Sequence, residues 1–453
     1  MIEANNMLQR PGDINGLLGQ LEAKSRYNPE DLELMQRLSR LYLRNGDTKS
    51  AEAVIERILK LDPDNTQAMV ELADCQIRRG AYEEAAYNIE RALELRPGMS
   101  AAFIAMARLH EAQGCVEKQV SFMMRAANAA PDKIDVRLAL AELLKRYGDF
   151  NGAIGQYKLI LDMEPDLEAA LFSLGTMLLR QNDLNGAMES FRKIISNNPG
   201  AFDAHFNLAS CLFRQRKFVM AANHFRVAQR KPELAQRSLY LMAQCYFKHR
   251  DFDSAIVTLE RLLLLDENNV SYLKSLAEIY EAADEPDMAR EVYRRLTGVA
   301  PERPEFMVHL ASIMITLNDL EKAEKTLDTL FRLHPGHVEG HRILGDLYAR
   351  RGDYRSAIEE YRRTLMINEN SIEVFLGLAR VYRAMENSEE EQQSLKRAIE
   401  IGCEDPELFL RLGQLERTLR LPASIDRFRR VSELAPDSDF AKEAEYYLRH
   451  KAA

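Results

Sequence analysis

Apolar residues along this chain recur at helical spacing in short segments that come in pairs. In residues 202–235, His205, Leu208, Ala209 and Leu212 fall on one face of a first segment, and Ala221, Phe225 and Ala228 on one face of a second. A short stretch rich in Gly, Asn and Asp separates the two, as in "NGDT" (45–48), "YGDF" (147–150) and "RGDY" (351–354). Glycine there suits a left-handed helix C-cap, and the Asp after it can accept from the first free N–H groups of the next helix. Pro286 and Pro422 fit the first turn of second segments, where a missing N–H costs nothing. The pattern predicts pairs of antiparallel helices joined by tight turns.

The pairs repeat every 34 residues. Stepping by that interval from Ser39 to Ala379 meets only small residues (among them Ala73, Ala141, Gly175, Ala209 and Gly345), each preceded by Leu or Met. A second series runs from Ala51 to Ala357 and is alanine throughout except at Gln119; its next step is Glu391. Small residues at these places let two helix backbones approach closely, so Gln119 and Glu391 predict looser packing in units 100–133 and 372–405. Prolines close the unit at Pro63, Pro97, Pro131, Pro165 and Pro199, and again at Pro301 and Pro335. No gap is needed from 32 to 405, which makes eleven units; 406–438 is a looser twelfth, shifted by one residue between its helices.

This pattern resembles the tetratricopeptide repeat family, whose Leu-Gly/Ala pair, Tyr, Ala and aromatic are met most fully at Leu344, Gly345, Tyr348, Ala357 and Tyr361. The resemblance implies an all-α, right-handed superhelical solenoid of about twelve helix-turn-helix repeats, first helices lining a concave groove. Residues 13–27 and 439–453 each read as a single amphipathic capping helix, with 1–12 disordered ahead of the first. Some members of the family grip a chaperone's C-terminal carboxylate with a Lys-Asn-Asn-Lys-Arg clamp. Lys274 falls in the Lys phase here, but Glu278 stands where the Asn should be, so that partner is not expected.

Composition narrows the function. A net charge of −9 argues against a general nucleic-acid or anionic-membrane binder. No apolar run approaches the length of a membrane span, and the first residues lack the basic-then-apolar order of a secretory signal. Five cysteines (Cys75, Cys115, Cys211, Cys245 and Cys403) without a CxxC pair fit a reducing, cytoplasmic setting. No phosphate-binding glycine loop, nucleophile elbow or separate catalytic segment is present, so neither enzyme activity nor a cofactor is expected.

One window stands out. Phe206 and Phe213 lie to one side of the face that packs on the second helix, and their repeat-matched neighbours are Phe172, Tyr240 and Phe247. Beside them run Thr176, Ser210 and Gln244, and then Arg180, Arg214 and Lys248. Two roles fit the aromatics: packing against the adjacent repeat, or lining a groove with a neutral floor and a basic edge. The second makes the protein an adaptor that binds an apolar, acidic peptide segment of another protein. Its rivals are a self-assembling scaffold and a single-stranded RNA binder that stacks bases on the aromatics. His334, His337 and His341 have spacing that suits a divalent metal, but His205 stands at the His341 phase, which marks that position as a packing one.

Overall fold

The computed structural model describes residues 11–449, which form twenty-six helices and no strand. The expectation of a disordered start at 1–12 falls on residues outside this range, apart from Pro11 and Gly12, which already belong to the helix Pro11–Tyr27. First helices begin at Leu32, Thr66, Ser100, Ile134, Glu168 and Phe202, then at Val270, Pro304, Val338, Ile372 and Pro406, keeping the 34-residue step. The exception is Pro232–Lys248, which starts a turn early, after the short helix Phe218–Ala228. A proline one place ahead of the closing-proline phase starts it, because Pro is at ease at the first helical position. Pro422 behaves differently from expectation. It lies in a turn, two residues ahead of the helix Ser424–Leu434, closed by the Ser424 N–H donating to the Leu421 carbonyl (3.3 Å).

The chain divides into two compact bodies, residues 1–217 and 218–453. In each, a first helix packs on its own second helix, and that second helix on the first helix of the following repeat. First helices also touch across repeats: Thr66–Arg79 meets Ser100–Ala112, and Val338–Arg351 meets Ile372–Ala384.

What permits this is space for a ring. A Cβ on Gly175 would lie 2.8 Å from the Phe191 ring; one on Gly345 or on Gly377 would lie 2.7 Å from Tyr361, which therefore sits between two consecutive first helices. In the last repeat, Gly413 stands as close to Phe428, one residue short of the regular position, which is the shift read from the sequence.

The turns repeat too. A left-handed residue occurs every 34 positions, at 46, 80, 114, 148, 182, 216, 250, 284, 318, 352, 386 and 420. Asp47, Asp149 and Asp353, which follow glycines, cap the next helix by accepting from the Ser50, Gly152 and Ser356 N–H groups. Only five of the twelve are glycine; Arg216, Arg250, Glu386 and Arg420 hold the left-handed conformation with a full side chain.

The two polar residues in the alanine series are buried and bonded. Gln119 accepts from the Tyr147 hydroxyl of the next repeat (3.0 Å). Glu391, 1% exposed, accepts from Arg383 of its own repeat (2.8 Å) and twice from Arg411 of the next (2.7 and 2.9 Å). Burial raises the Glu391 carboxyl, and the arginines outweigh it, holding the group below its usual range. The looser packing expected at these positions is thus replaced by cross-repeat bonds that a single repeat's pattern does not reveal.

Both ends are covered. In Pro11–Tyr27, Leu18 is buried and Glu22 accepts from the Tyr42 hydroxyl (2.6 Å). In Asp439–Arg449, Tyr447 stacks on Phe428 at 5.0 Å.

The turns and the joints can each be tested by substitution. Replacing Arg250 with Gly removes a left-handed side-chain conflict and should raise the urea midpoint by the equivalent of up to about 1 kcal/mol, while Gly352→Arg lowers it. Glu391→Ala strands two arginines and should cost about 3 kcal/mol, with faster hydrogen exchange in 372–418. Because the folded carboxyl is held low, the stability difference between wild type and Glu391→Gln is full above about pH 4.5 and shrinks as pH falls below it.

Candidate functional site

In the N-terminal body, Phe172, Thr176 and Arg180 lie on Glu168–Arg180, and Phe206, Ser210, Phe213 and Arg214 on the adjacent Phe202–Arg214. Phe172 is half-buried and meets Phe191 edge-on, ring centroids 5.9 Å apart. Phe206 is buried, 8% exposed, while Phe213 is half-buried and Arg214 exposed. Thr176 donates to the Ser173 carbonyl (2.8 Å) and Ser210 to the Phe206 carbonyl (2.9 Å), so both hydroxyls are spent on their own helices. The Arg180 guanidinium stands 5.7 Å from the Phe150 ring.

Phe172 also borders a cleft of ≈ 630 Å³ with Glu168, Ser173, Asp203 and Ala204. The two carboxylates belong to the starts of their helices, whereas Arg180 and Arg214 close the same helices at the other end. The aromatic flank therefore runs from an acidic end to a basic end.

In the C-terminal body, Tyr240, Gln244, Phe247 and Lys248 share Pro232–Lys248. Tyr240 is half-buried, hydrogen-bonds Ser275 Oγ (3.1 Å) and lies 5.4 Å from the Tyr272 ring. Phe247 packs at 6.2 Å from Phe252, and the exposed Lys248 ammonium stands 5.5 Å from the Phe247 ring. Gln244 is half-buried.

Acids at the phase of Thr176, Ser210 and Gln244 can have partners on the second helix. Glu142 and Asp346 share their repeat phase, and each accepts from the tyrosine of its own second helix, Tyr157 (2.5 Å) and Tyr361 (2.6 Å). Where that tyrosine is replaced by Phe191, Phe225 or Leu259, no hydroxyl calls for an acid. The phase is nevertheless charged at Arg40, Asp74, Arg108 and Arg380, where the second-helix residue is likewise apolar.

The three histidines separate. His337 Nδ1 accepts from the Gly340 N–H (3.1 Å) as a helix cap, His341 Nδ1 meets Glu360 Oε2 (2.7 Å) beside the Phe331 ring, and His334 ends Leu320–Leu333. Among the described residues no group of three or more His, Cys, Asp or Glu is placed to hold a metal. Cys75, Cys211 and Cys245 are buried thiols, pushed by burial to about 11, 11 and 12.

Pattern reading passes over a cavity in the C-terminal body, ≈ 430 Å³, against three consecutive first helices. Its lining includes Ser312, Thr316, Arg350, Tyr361, Gly377 and Arg380. Repeat phase carries a signal of it: Ser312, Asp346 and Arg380 form one row, Thr316 and Arg350 another.

Stacked helix pairs in each body define an all-α repeat fold, and no described helix is long and apolar enough to cross a membrane. The tetratricopeptide repeat profile matches residues 37–131, 138–201, 240–306 and 308–371, and a second profile of that description matches 372–401. The chain belongs to the tetratricopeptide repeat family, a family of protein-interaction scaffolds. A profile described as anaphase-promoting complex, cyclosome, subunit 3 matches 191–262. Human Protein O-mannosyl-transferase TMTC1 is 20% identical over 176 residues, 38% of this chain and 20% of that protein, so the chain matches a fifth of that relative's length. Solved structures of similar shape include Naa15/Naa10 bound to HypK-THB (TM-score 0.47, 14% identity, covering 90% of this chain and 69% of that one). Yeast Tom70 is another (TM-score 0.43, 17% identity, covering 85% and 95%).

Burial assigns Phe206 a packing role. Phe206→Ala should therefore lower stability by about 3–5 kcal/mol, read as an earlier thermal transition, and it cannot serve as a clean binding probe.

Proposed function

We propose that this protein is a non-catalytic adaptor, acting in the cytoplasm, that holds a peptide segment of a partner protein against its first-helix faces. Within the N-terminal body Phe172 and Phe213 offer half-buried rings to apolar side chains of such a segment, and within the C-terminal body Tyr240 and Phe247 do the same. Acidic groups are taken by Arg180 and Arg214 in the first body and by Lys248 in the second, with Thr176 and Ser210, and separately Gln244, as the neutral residues of the same helices.

One observation carries this reading. Arg180, Arg214 and Lys248 close three consecutive first helices, all are exposed, and among the described residues none is ion-paired to a carboxylate. The helix dipole accounts for a cation at such a place. It does not account for the half-buried Phe213 and Phe247 that directly precede Arg214 and Lys248.

The test separates folding from association. Phe213→Ala with Phe247→Ala should leave circular dichroism unchanged and weaken a partner isolated with the wild-type chain by about 2 kcal/mol, roughly thirtyfold. Arg214→Glu with Lys248→Glu should weaken it further and flatten the dependence of affinity on salt. Partners bound with undiminished affinity by both variants would overturn the reading.

A further inference from the structure

The ≈ 430 Å³ cavity of the C-terminal body has an unusual charge balance. Its one carboxylate is already spent: Asp346 Oδ2 accepts from Arg342 (2.7 Å) and Oδ1 from the Tyr361 hydroxyl (2.6 Å). Arg342 is held at its other edge by Glu339. Arg383 and Arg411, nearby, are committed to Glu391. Arg350 and Arg380 are different. Both line the cavity, both are exposed, and neither has a hydrogen bond or ion pair among the described residues. Two like charges facing one concavity repel each other until an anion enters.

A second cleft of ≈ 280 Å³ also has Arg380 in its lining, together with Leu376, Ala379 and Leu408. Asp405 and Glu407 line the same second cleft and repel further negative charge there. Uncommitted cations in the first cavity, with apolar and acidic side chains in the second, suit a ligand that has one carboxylate and an apolar side chain next to it.

We propose that this pair of clefts is a second docking subsite, for an acidic peptide whose Glu or Asp side chain sits between Arg350 and Arg380 and whose following apolar side chain enters against Leu376 and Leu408. The subsite is independent of the aromatic flank at 172–248. Its volume is that of a site for a few side chains rather than for a single ion. Nucleic acid fits it poorly, since two cations are too few for a phosphate backbone and the ring at its floor, Tyr361, is buried and cannot stack. Gly377 keeps the floor open above that ring, which a Cβ there would strike at 2.7 Å.

The experiment uses the full chain and fluorescence anisotropy with three labelled probes: a short repeating Glu-Asp-Leu peptide, its Gln-Asn-Leu counterpart, and an oligouridylate. Wild type should bind the acidic peptide at least about tenfold more tightly than either other probe. Arg350→Gln with Arg380→Gln should lose about tenfold or more for the acidic peptide and lower the salt dependence. Arg362→Gln, an exposed cation on the second helix with no partner among the described residues, removes charge elsewhere and should stay within about twofold of wild type. Any loss caused by Phe213→Ala with Phe247→Ala reports on the aromatic flank, and the loss caused by Arg350→Gln with Arg380→Gln should appear in that background as well. No binding of the acidic peptide, equal binding of the neutral one, tighter binding of the oligouridylate, or an equal loss with Arg362→Gln would each overturn the proposal.

Discussion

The fold turns on the absence of one carbon. At Gly345 and Gly377 a methyl group would collide with Tyr361, so the ring can lie between two first helices only because both are bare at that point. The small residue sets the closest approach of the helices, and with it their crossing. A ring drawn in that far carries its hydroxyl into the packing, where burial raises its pKa and keeps it a donor. The donor calls for Asp346, and Asp346 calls for Arg342. The pairing that leaves Arg350 and Arg380 as the uncommitted cations of the cavity thus starts from a packing requirement several bonds away.

The same chain of causes explains which features are legible in the sequence and which are not. Helix starts, the small-residue series and the Asp caps at 47, 149 and 353 depend on residues close together in one repeat, so spacing reveals them. Gln119 and Glu391 depend on Tyr147 and Arg411, which lie 28 and 20 residues away in sequence and in the next repeat. A helical wheel drawn for one unit has no place for such partners, and it shows both side chains as misfits. Phe206 is misplaced by the wheel for a related reason: a side chain off the intra-repeat face still has a neighbour, and the wheel counts that flank as open.

Several ion pairs tie one repeat to the next. Arg108 reaches back to Asp74 (2.8 Å), one full period away in sequence, and Arg40 reaches forward to Glu71 (3.1 Å). Exposed pairs of this kind add little stability each. Glu416 shows the limit of the device: it is fully buried between Lys396 and Arg427 at 3.5 and 3.6 Å, with neither carboxylate oxygen hydrogen-bonded among the described residues. A buried carboxylate so loosely held is a costly way to join two helices, and it lies in the repeat whose spacing slips by a residue.

A gapless period carries a hazard of mistaken identity. When every first helix offers Leu or Met before a small residue and nearly every second helix offers Ala, a second helix can dock on the wrong first helix with almost no loss of apolar contact. Misregistered folding, or an exchange of repeats between two chains, is then held off only by residues that break the monotony. Glu391 is such a residue. The Arg411 phase is occupied by Gly377 one repeat earlier and by Ile343 two repeats earlier, so a helix docked there would bury the carboxylate without the arginine that makes its burial tolerable. The departures from the repeat act as the serial numbers of an otherwise interchangeable set of parts.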